Sequence, residues 1–343
     1  MKKKDGYQLL YLAQFIFPFF VVVAHVGSLT SNPELHFLLK NILCRVVVPF
    51  YCVSNAFFYA QKDSAGKKMW LRKNIQVYLL WSLIYLPFGI QFIQDYVNLP
   101  LALYPVGVLV GLVYTGTFYH LWYFPAIFFG VVIVDKLIHK WGYGKVFSGL
   151  LVLYAIGASE TYSAYLAGTG FGQLMESYFN IFLTTRNGLF FTTIFVLIGF
   201  YLAENHQRLL VDSEKNYRGL ILSSLLLLIE GTIIFLHQGR DVNVYFALIP
   251  FSFYFFLVLL SYHGKADFKS LRKYGQGIYF FHMIPIQLFN IFVSTSGLTS
   301  AETGWIRWIL GVGISLMVIL LVDGFKKVRI SDKSVPQLYE RSL

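Results

Sequence analysis

Apolar residues run through this chain in long stretches, and short polar segments separate one stretch from the next. A helix needs about 20 apolar residues to cross the hydrocarbon core of a bilayer, so each stretch is predicted to be one membrane-spanning helix. The predicted spans are residues 9–29, 42–60, 73–94, 118–138, 146–167, 187–204, 219–237, 243–262, 274–295 and 305–324. The pattern therefore predicts an all-α fold, a polytopic membrane helix bundle of about ten transmembrane helices.

Two stretches fit this pattern less well. Residues 99–113 are apolar but shorter than a span, which is the length expected of an interfacial or re-entrant segment. Glu160 and several glycines and serines interrupt the stretch assigned to the fifth span. Beyond the last span only a short tail remains, so we expect one transmembrane domain over residues 1–343 and no soluble domain.

The basic residues are distributed unevenly between the two sides of the predicted bundle. With ten spans and both termini in the cytoplasm, most of the 28 Lys and Arg residues fall in cytoplasmic segments. The residues that fall elsewhere are Lys40, Arg45, Arg186, Arg240 and Arg307. Because an excess of Lys and Arg in cytoplasmic loops sets the orientation of membrane proteins, both termini are predicted to be cytoplasmic.

The composition excludes several other classes of protein. Only 13% of the 343 residues are charged and 57% are hydrophobic, whereas soluble domains carry about a quarter charged residues and disordered chains are poor in apolar residues. The net charge of +11 is split among loops without a continuous basic face, so we expect no nucleic-acid partner. The histidines and the two cysteines lack metal-ligand spacing, so we expect no metal site. The expected partner is the lipid bilayer.

Ionisable side chains are costly inside a membrane, about 2.5–3.5 kcal/mol each on insertion scales, and they often mark functional sites. Those in or at the ends of predicted spans include His25, Arg45, His120, Arg186 and Glu230. Since all five fall toward the outer side, they could converge on one outward-facing polar cavity. The alternative is a set of separate interfacial anchors, a role that we also consider for Arg307. His282 lies near mid-depth, where a packing histidine is the simpler interpretation.

Five short motifs, spread in order over most of the chain, resemble those of a known family. They are VVVPFYCVSN at residues 46–55, YHLWYFPA at 119–126, TRNGLFF at 185–191, LIE at 228–230 and IYFFH at 278–282. In these motifs the chain resembles the acyltransferase family 3 membrane proteins. It is similar, more closely still, to the membrane domain of the vancomycin-resistance membrane serine racemases.

The resemblance implies an enzyme of the bacterial cytoplasmic membrane. Family members transfer an acyl group onto envelope sugars and other extracytoplasmic acceptors, and they are thought to take it from cytoplasmic acyl-CoA. By this resemblance we expect acetyl-CoA as the co-substrate and an envelope glycan or another small polar molecule as the acceptor. In the racemases a soluble domain follows the membrane part, which is thought to take up serine, so racemisation is not expected of this chain. Self-association into a homo-oligomer is left open.

The family's first-span signature is an arginine, ten residues, and then a histidine. In this chain the histidine is His25, but Gln14 occupies the position of the arginine. The resemblance implies that His25 is the general base that deprotonates an acceptor hydroxyl. A neutral amide does not hold a phosphate bidentately as a guanidinium does. We therefore expect Arg72 and Lys73, at the inner mouth of the third span, to hold the CoA phosphates, and we assign Gln14 to the acyl-CoA site with them.

The acceptor or substrate pocket is assigned to the remaining polar residues. These are Arg45, Tyr119, His120, Arg186, Glu230 and His282. In an acyltransferase, Tyr119 and His120 would orient the acceptor on the outer side. The alternative is an amino-acid transporter without covalent chemistry, in which Arg45 or Arg186 would meet the carboxylate of a substrate such as serine and Glu230 its ammonium group. A structural partner of a separate envelope enzyme is a third option.

Overall fold

The computed structural model describes residues 7–97, 100–262, 264 and 266–334, and these residues are helical without any β-strand. The α-helices are α1 (Gln8–His25), α2 (Pro33–Phe37), α3 (Val47–Ala60), α4 (Ser64–Phe92), α5 (Tyr104–Val110), α6 (Tyr123–Ala158), α7 (Ser163–Leu166), α8 (Gly170–Phe182), α9 (Thr193–Leu209), α10 (Ser213–Leu236), α11 (Leu248–Leu260), α12 (Arg272–Phe281), α13 (Met283–Phe292) and α14 (Ser300–Ser334). Turns of π-helix cover Leu38–Ile42, Ile93–Val97, Gly111–Thr115 and Gly188–Thr192. The predicted all-α fold is confirmed over this part of the chain.

Within the described residues, six helical segments are long and apolar enough to cross a membrane. They are Gln8–His25, Pro33–Ala60, Ser64–Asp95, Gly188–Leu209, Ser213–Leu236 and Ser300–Phe325. Two shorter apolar segments, Leu101–Thr115 and Leu248–Leu260, accompany them. The chain therefore has the helices of a multi-pass membrane protein, while the number of ten spans and their orientation stay predictions.

The helix α6 is folded back into a hairpin. Gly142 has φ 72° and ψ 165°, which interrupts the helix near its middle. Gly188 and Phe190 are only two residues apart, yet they contact opposite arms of α6. A Cβ at Gly188 would lie 3.1 Å from the carbonyl oxygen of Ala126 in the first arm, and a Cβ at Gly157 in the second arm would lie 2.9 Å from the side chain of Phe190. In a straight helix Ala126 and Gly157 would be about 46 Å apart, so the two arms lie side by side. They correspond to the predicted fourth and fifth spans.

The second arm of α6 ends earlier than predicted. The fifth span was expected to reach residue 167, but the helix ends at Ala158. The next acidic residue, Glu160, binds Thr185 through its carboxylate, so the chain turns here instead of continuing as a helix. After the single turn of α7 (Ser163–Leu166), the next longer helix is α8, which the Thr169 hydroxyl caps by accepting the N–H of Gly172 at 3.0 Å.

The described residues form two compact units, which we call unit 1 and unit 2. Unit 1 contains residues 7–10, 37–97, 100–262 and 264, and unit 2 contains residues 11–36 and 266–334. Unit 1 thus holds α3 to α11. Unit 2 holds most of α1 together with α12, α13 and α14.

Glycines allow close backbone contacts between the helices of unit 1. The helices α3 and α9 cross where a Cβ at Gly199 would lie 2.5 Å from the carbonyl oxygen of Val53. The helix α4 meets the chain just after the apolar 101–115 segment, where a Cβ at Gly89 would lie 2.1 Å from the carbonyl oxygen of Thr117. Small residues at such crossings let membrane helices approach closely. The 101–115 segment is therefore held against α4.

A similar close contact joins α1 and α12 in unit 2. Pro18 lacks the N–H group that would bind the carbonyl oxygen of Gln14 within α1. A Cβ at Gly275 would lie 2.4 Å from this same oxygen, so only glycine fits at this point of α12. The helices α12 and α13 continue into one another through His282, which keeps helical dihedral angles of φ −55° and ψ −32°. Together they match the predicted ninth span.

Candidate functional site

A cavity of about 790 Å³ lies within unit 1. Part of its lining is apolar and comes from the 101–115 segment, including Leu103, Val106 and Val110. The charged part of the lining consists of Glu160, Arg186, Arg240 and Asp241. The volume falls within the range of about 300–1,000 Å³ that is usual for small-molecule sites, so this cavity is the candidate binding site of unit 1.

Glu160 is the most buried of the charged residues in the lining, with 2% of its surface exposed. Its Oε2 accepts hydrogen bonds from the hydroxyl of Thr184 at 2.8 Å and from both the N–H and the hydroxyl of Thr185 at 2.7 Å. The residue follows the last turn of α6, outside the helices, and burial raises the pKa of its carboxyl while the hydrogen bonds from Thr185 oppose this shift. Glu160 therefore fixes the 184–185 segment at the cavity.

The guanidinium of Arg186 has few contacts with other described residues and keeps an N–H donor for a ligand. One of its Nη atoms lies 3.9 Å from Oδ2 of Asp241, and its guanidinium stacks 5.3 Å from the ring centre of Trp122. Its Nε is buried and has no hydrogen-bond partner among the described residues. Since a buried donor is normally satisfied, this N–H is a candidate contact for a ligand in the cavity.

A network of hydroxyl and amide groups connects the apolar and charged parts of the lining. The hydroxyl of Tyr114 donates to the carbonyl oxygen of Thr184 at 3.0 Å and lies 2.9 Å from the hydroxyl of Tyr178. The side-chain amide of Asn187 donates to Tyr114 at 2.9 Å, while its oxygen accepts two backbone N–H groups at the start of the next helical turn. Tyr114, at the end of the apolar segment, is thereby tied to the chain that carries Arg186.

Turns of π-helix are concentrated around this cavity. Such turns are rare and are often found at functional sites. Ile93 and Gly111, which each begin one of them, line the cavity. A third turn, Gly188–Thr192, follows directly after Arg186 and Asn187. Three of the four π turns in the described part of the chain therefore adjoin the candidate site.

Two histidines form the candidate site of unit 2. The rings of His25, the last residue of α1, and His282 stack with their centres 5.6 Å apart and their planes at 24°. His282 is fully buried, and its Nδ1 lies 3.0 Å from the carbonyl oxygen of Ile278 and 2.8 Å from that of Tyr279. Because carbonyl oxygens only accept, Nδ1 is the nitrogen that carries a hydrogen. His282 therefore has a fixed ring against which His25 is placed.

Arg307 supports this end of unit 2 as a structural residue. Its Nε donates to the side-chain oxygen of Asn290 at 2.8 Å, and its guanidinium lies 5.8 Å from the ring centre of Phe289. These contacts join α14 to α13. The role of Arg307 as an interfacial anchor stays a prediction.

Comparison with known proteins identifies the family of the chain. A family model described as "Acyltransferase domain", acyltransferase family 3, matches residues 10–324. The chain belongs to this acyltransferase family. No solved structure matches it.

Curated proteins similar to this acyltransferase-family chain come from enterococci. An "Amino-acid racemase" of Enterococcus faecalis is 28% identical over 277 residues, which are 77% of this chain and 37% of the relative. A "Serine/alanine racemase" of Enterococcus gallinarum is 27% identical over 267 residues, 74% of this chain and 37% of the relative. Another "Amino-acid racemase" of Enterococcus faecalis is 24% identical over 339 residues, 94% of this chain and 46% of the relative. The chain thus spans less than half of the length of these relatives.

The structure brings some of the predicted pocket residues of this family member together. Tyr119 and Arg186 both line the cavity of unit 1. Arg45 donates to the side-chain oxygen of Asn41 at 3.0 Å, and the charges of Asp241 and Arg186 lie within electrostatic range of it. Tyr119 and Arg186 thus share one cavity, while the role of these three residues in a substrate pocket stays a prediction.

Glu230 has structural partners instead of facing the cavity. Its carboxylate accepts the backbone N–H groups of Phe246 and Ala247, each at 2.7 Å, and the hydroxyl of Tyr162. These N–H groups lie at the beginning of α11, whose first helical residue is Leu248. Glu230 therefore serves as the anionic cap of this helix.

The other predicted residues lie elsewhere. His120 is buried, and its ring packs edge-on against Tyr85 with the ring centres 4.6 Å apart. Arg72 and Lys73 are exposed on α4 in unit 1. His25, His282 and Gln14 belong to unit 2. Their assigned roles stay predictions.

Several residues of the site were missed by reasoning from the sequence. Glu160, Thr184, Asn187, Arg240 and Asp241 all contribute to the cavity or to the network beside it. The available signal was Glu160, an acidic residue within an apolar stretch, which was interpreted only as an interruption of the span. Such a residue is by default a candidate for function.

Proposed function

We propose that the protein is a membrane O-acyltransferase that moves an acyl group, acetyl in the simplest case, from cytoplasmic acyl-CoA to a hydroxyl of an extracytoplasmic envelope acceptor. The proposal is carried by membership of the acyltransferase family over residues 10–324. It includes ten spans in a bacterial cytoplasmic membrane with both termini inside, for which the distribution of Lys and Arg is the support.

In this proposal His25 is the general base. Its imidazole takes the proton of the acceptor hydroxyl while the hydroxyl oxygen bonds to the acyl carbon and the bond from that carbon to sulfur breaks. The proton then passes from His25 to the departing thiolate, so that the products are an ester and a thiol.

His282 acts as a positioning residue in the same proposal. Its ring is fixed by the carbonyl oxygens of Ile278 and Tyr279, and it stacks on His25. A fixed neighbour limits the orientations of the His25 ring and so lowers the cost of aligning the base.

Basic residues at the start of α4 suit the phosphates of CoA. Arg72 and Lys73 are exposed, and so is Lys68 one turn earlier. Lys67 instead pairs with Asp135 at 2.8 Å. Guanidinium and ammonium groups are the usual partners of phosphate oxygens, so the exposed three are proposed to bind the nucleotide end of the co-substrate.

The experiment uses inside-out membrane vesicles that are given radiolabelled acetyl-CoA. Label should appear in glycan or lipid with the wild type, and His25→Ala should reduce transfer by about 10²–10⁴-fold, the usual contribution of a general base. His139→Ala is the matched control, because His139 is an exposed histidine of unit 1. Transfer by a folded His25→Ala protein at the wild-type rate would remove His25 from the mechanism.

Amino-acid transport is the second candidate. It is favoured by the printed names of the racemase relatives and by the mixed charges in the lining of the unit 1 cavity. The carboxylates available to a substrate ammonium group there are Glu160 and Asp241, since Glu230 caps α11. Saturable serine uptake into proteoliposomes, lost in Asp241→Asn, is expected for a transporter. Uptake no greater than that of empty liposomes, with folded protein, would exclude this candidate.

A further inference from the structure

We propose that the cavity of unit 1 binds an amphiphile, with its apolar chain against the 101–115 segment and an uncharged, hydroxyl-bearing head group at Glu160, Arg186, Arg240 and Asp241. The binding itself is independent of any reaction. Its biological meaning rests on the proposed transferase function, in which this amphiphile is a lipid-linked acceptor.

The apolar rim of the cavity indicates entry from the bilayer. Val106 and Val110 line the cavity and yet remain 55% and 51% exposed. From a separate element, Ile181 and Leu183 also line it and are 74% and 46% exposed. Large exposed apolar side chains around one opening mark a surface that meets apolar material. In a multi-pass membrane protein that material is lipid, so a ligand with an apolar chain has direct access.

A strained turn places this rim beside the charged lining. Leu183 has φ 66° and ψ −44°, and the N–H of Thr184 donates to the carbonyl oxygen of Phe182 at 2.7 Å. This is a γ-turn with positive φ, which costs about 1–3 kcal/mol for a residue with a side chain. It directs the chain so that Leu183 lines the cavity while the next residue, Thr184, binds Glu160 at 2.8 Å. Strain of this kind is typical of functional sites.

The two parts of the lining are separated along the 101–115 segment. Leu103 lies about 12 Å from Gly111 at the rise of an α-helix, and both line the cavity. Tyr114, beyond Gly111, is hydrogen-bonded to Thr184 at the charged part. A ligand that fills the cavity therefore contacts apolar side chains over most of the segment and charged ones near its end.

The charged lining matches hydroxyl groups better than a phosphate. A hydroxyl both donates and accepts, so it can donate to a carboxylate of Glu160 or Asp241 and accept from Arg186 or Arg240. The buried Nε of Arg186 has no partner among the described residues. Within the same part of the chain, the Glu160 carboxylate accepts three hydrogen bonds, all at Oε2. A phosphate would meet two carboxylates as well as two guanidiniums, which removes the charge complementarity that it needs.

The test uses the full chain in phosphatidylcholine nanodiscs, with an alkyl glucoside brominated on the chain carbons nearest the sugar as the probe, because Trp122 lies beside Arg186 at the charged part of the lining. Trp122 lines the cavity, and its indole stacks on Arg186, so a brominated chain in the cavity should quench its fluorescence. We expect a saturable component of quenching that disappears in Trp122→Phe. Alkyl phosphate and alkyl phosphocholine with the same brominated chain should half-saturate at concentrations at least tenfold higher.

Substitutions in the two parts of the lining sharpen the test. Val110→Phe fills apolar space and should raise the half-saturating glucoside concentration at least tenfold. Val113→Phe is the matched control, because Val113 belongs to the same segment, is 69% exposed and does not line the cavity. Arg186→Gln should weaken glucoside binding about tenfold or more, the usual effect of losing one hydrogen bond to a charged group.

The outcomes separate this inference from the proposed function. Quenching that rises with probe concentration without saturation, or that is equal in Val110→Phe and the wild type, overturns the site. Tighter binding of the alkyl phosphate overturns the assignment of the head group. Because no acyl-CoA is present, saturable glucoside binding in a protein that transfers no acetyl group supports the site and overturns only the transferase. Transfer to a water-soluble sugar by a protein that does not bind the glucoside supports the transferase function and overturns the amphiphile site.

Discussion

The substitution Glu230→Gln distinguishes a structural carboxylate from a ligand-binding one. The carboxylate accepts the N–H groups of Phe246 and Ala247 at 2.7 Å and the hydroxyl of Tyr162. Glutamine keeps one oxygen but turns an amide nitrogen, itself a donor, toward one of these donors. At least one hydrogen bond to a charged group is therefore lost, which costs about 1.5–3 kcal/mol. Loss of the negative charge at the start of α11 adds about 0.3–1 kcal/mol.

We therefore expect the free energy of unfolding of Glu230→Gln to fall by about 2–4 kcal/mol. The assay is heat- or SDS-induced unfolding in detergent micelles, followed by circular dichroism. Glu302→Gln is the matched control, because the exposed Glu302 accepts the N–H and the hydroxyl of Thr299 at the start of α14, where glutamine caps nearly as well. A Glu230→Gln protein as stable as the wild type but unable to bind or take up substrate would refute this reasoning.

Two further predictions concern backbone contacts. Gly275→Ala should lower the free energy of unfolding by about 1–3 kcal/mol, because its Cβ would lie 2.4 Å from the carbonyl oxygen of Gln14. Gly313→Ala is the control and should leave the free energy of unfolding unchanged, since a Cβ there meets nothing within 4 Å. Equal unfolding midpoints for the two variants would contradict the close contact of α1 and α12. Leu183→Gly should raise the free energy of unfolding by about 1 kcal/mol, because glycine adopts the positive φ of this turn without strain. Leu183→Val should lower the free energy of unfolding. The reverse order of the two unfolding midpoints would show that the turn is unstrained.

The lengths of the apolar runs predicted most of the helices but not their ends. The seventh span was predicted at 219–237, and α10 runs from Ser213 to Leu236. Its polar first turns lie outside the apolar run, and the helix begins where the side chain of Asp212 accepts the N–H of Lys215 at 2.9 Å. Such a cap is a local signal that a hydropathy window averages away. The hairpin turn at Gly142 was anticipated, because the charged residues around it divide two apolar runs.

Reasoning from the sequence favoured Glu230 over Glu160, whereas the structure places Glu160 and not Glu230 in the lining of the cavity. Glu230 was assigned to the substrate and Glu160 was interpreted as an interruption of the fifth span. The depth of each carboxylate in the predicted membrane was the criterion for both assignments. What distinguishes them is their partners. Glu230 binds backbone N–H groups at residues 246 and 247. Every residue except proline has such a group, so the sequence does not predict which of them a carboxylate will bind. Glu160 binds Thr184 and Thr185, about 25 residues away, through a chain reversal that hydropathy does not encode.

The π turns explain why the pattern of apolar positions did not reveal the cavity. An extra residue in a helical turn rotates all later side chains by about 100° relative to a regular helix. The turn Gly111–Thr115 thus brings Tyr114 to Thr184, at the end of a segment whose preceding residues are apolar. The turn Gly188–Thr192 starts directly after Asn187. The side-chain oxygen of Asn187 accepts two backbone N–H groups of this turn, and its side-chain amide donates to the hydroxyl of Tyr114. Both turns lie beside the network of Tyr114, Thr184 and Asn187, which connects the apolar and charged parts of the lining. The deviations from regular helix are therefore what joins the two halves of the site.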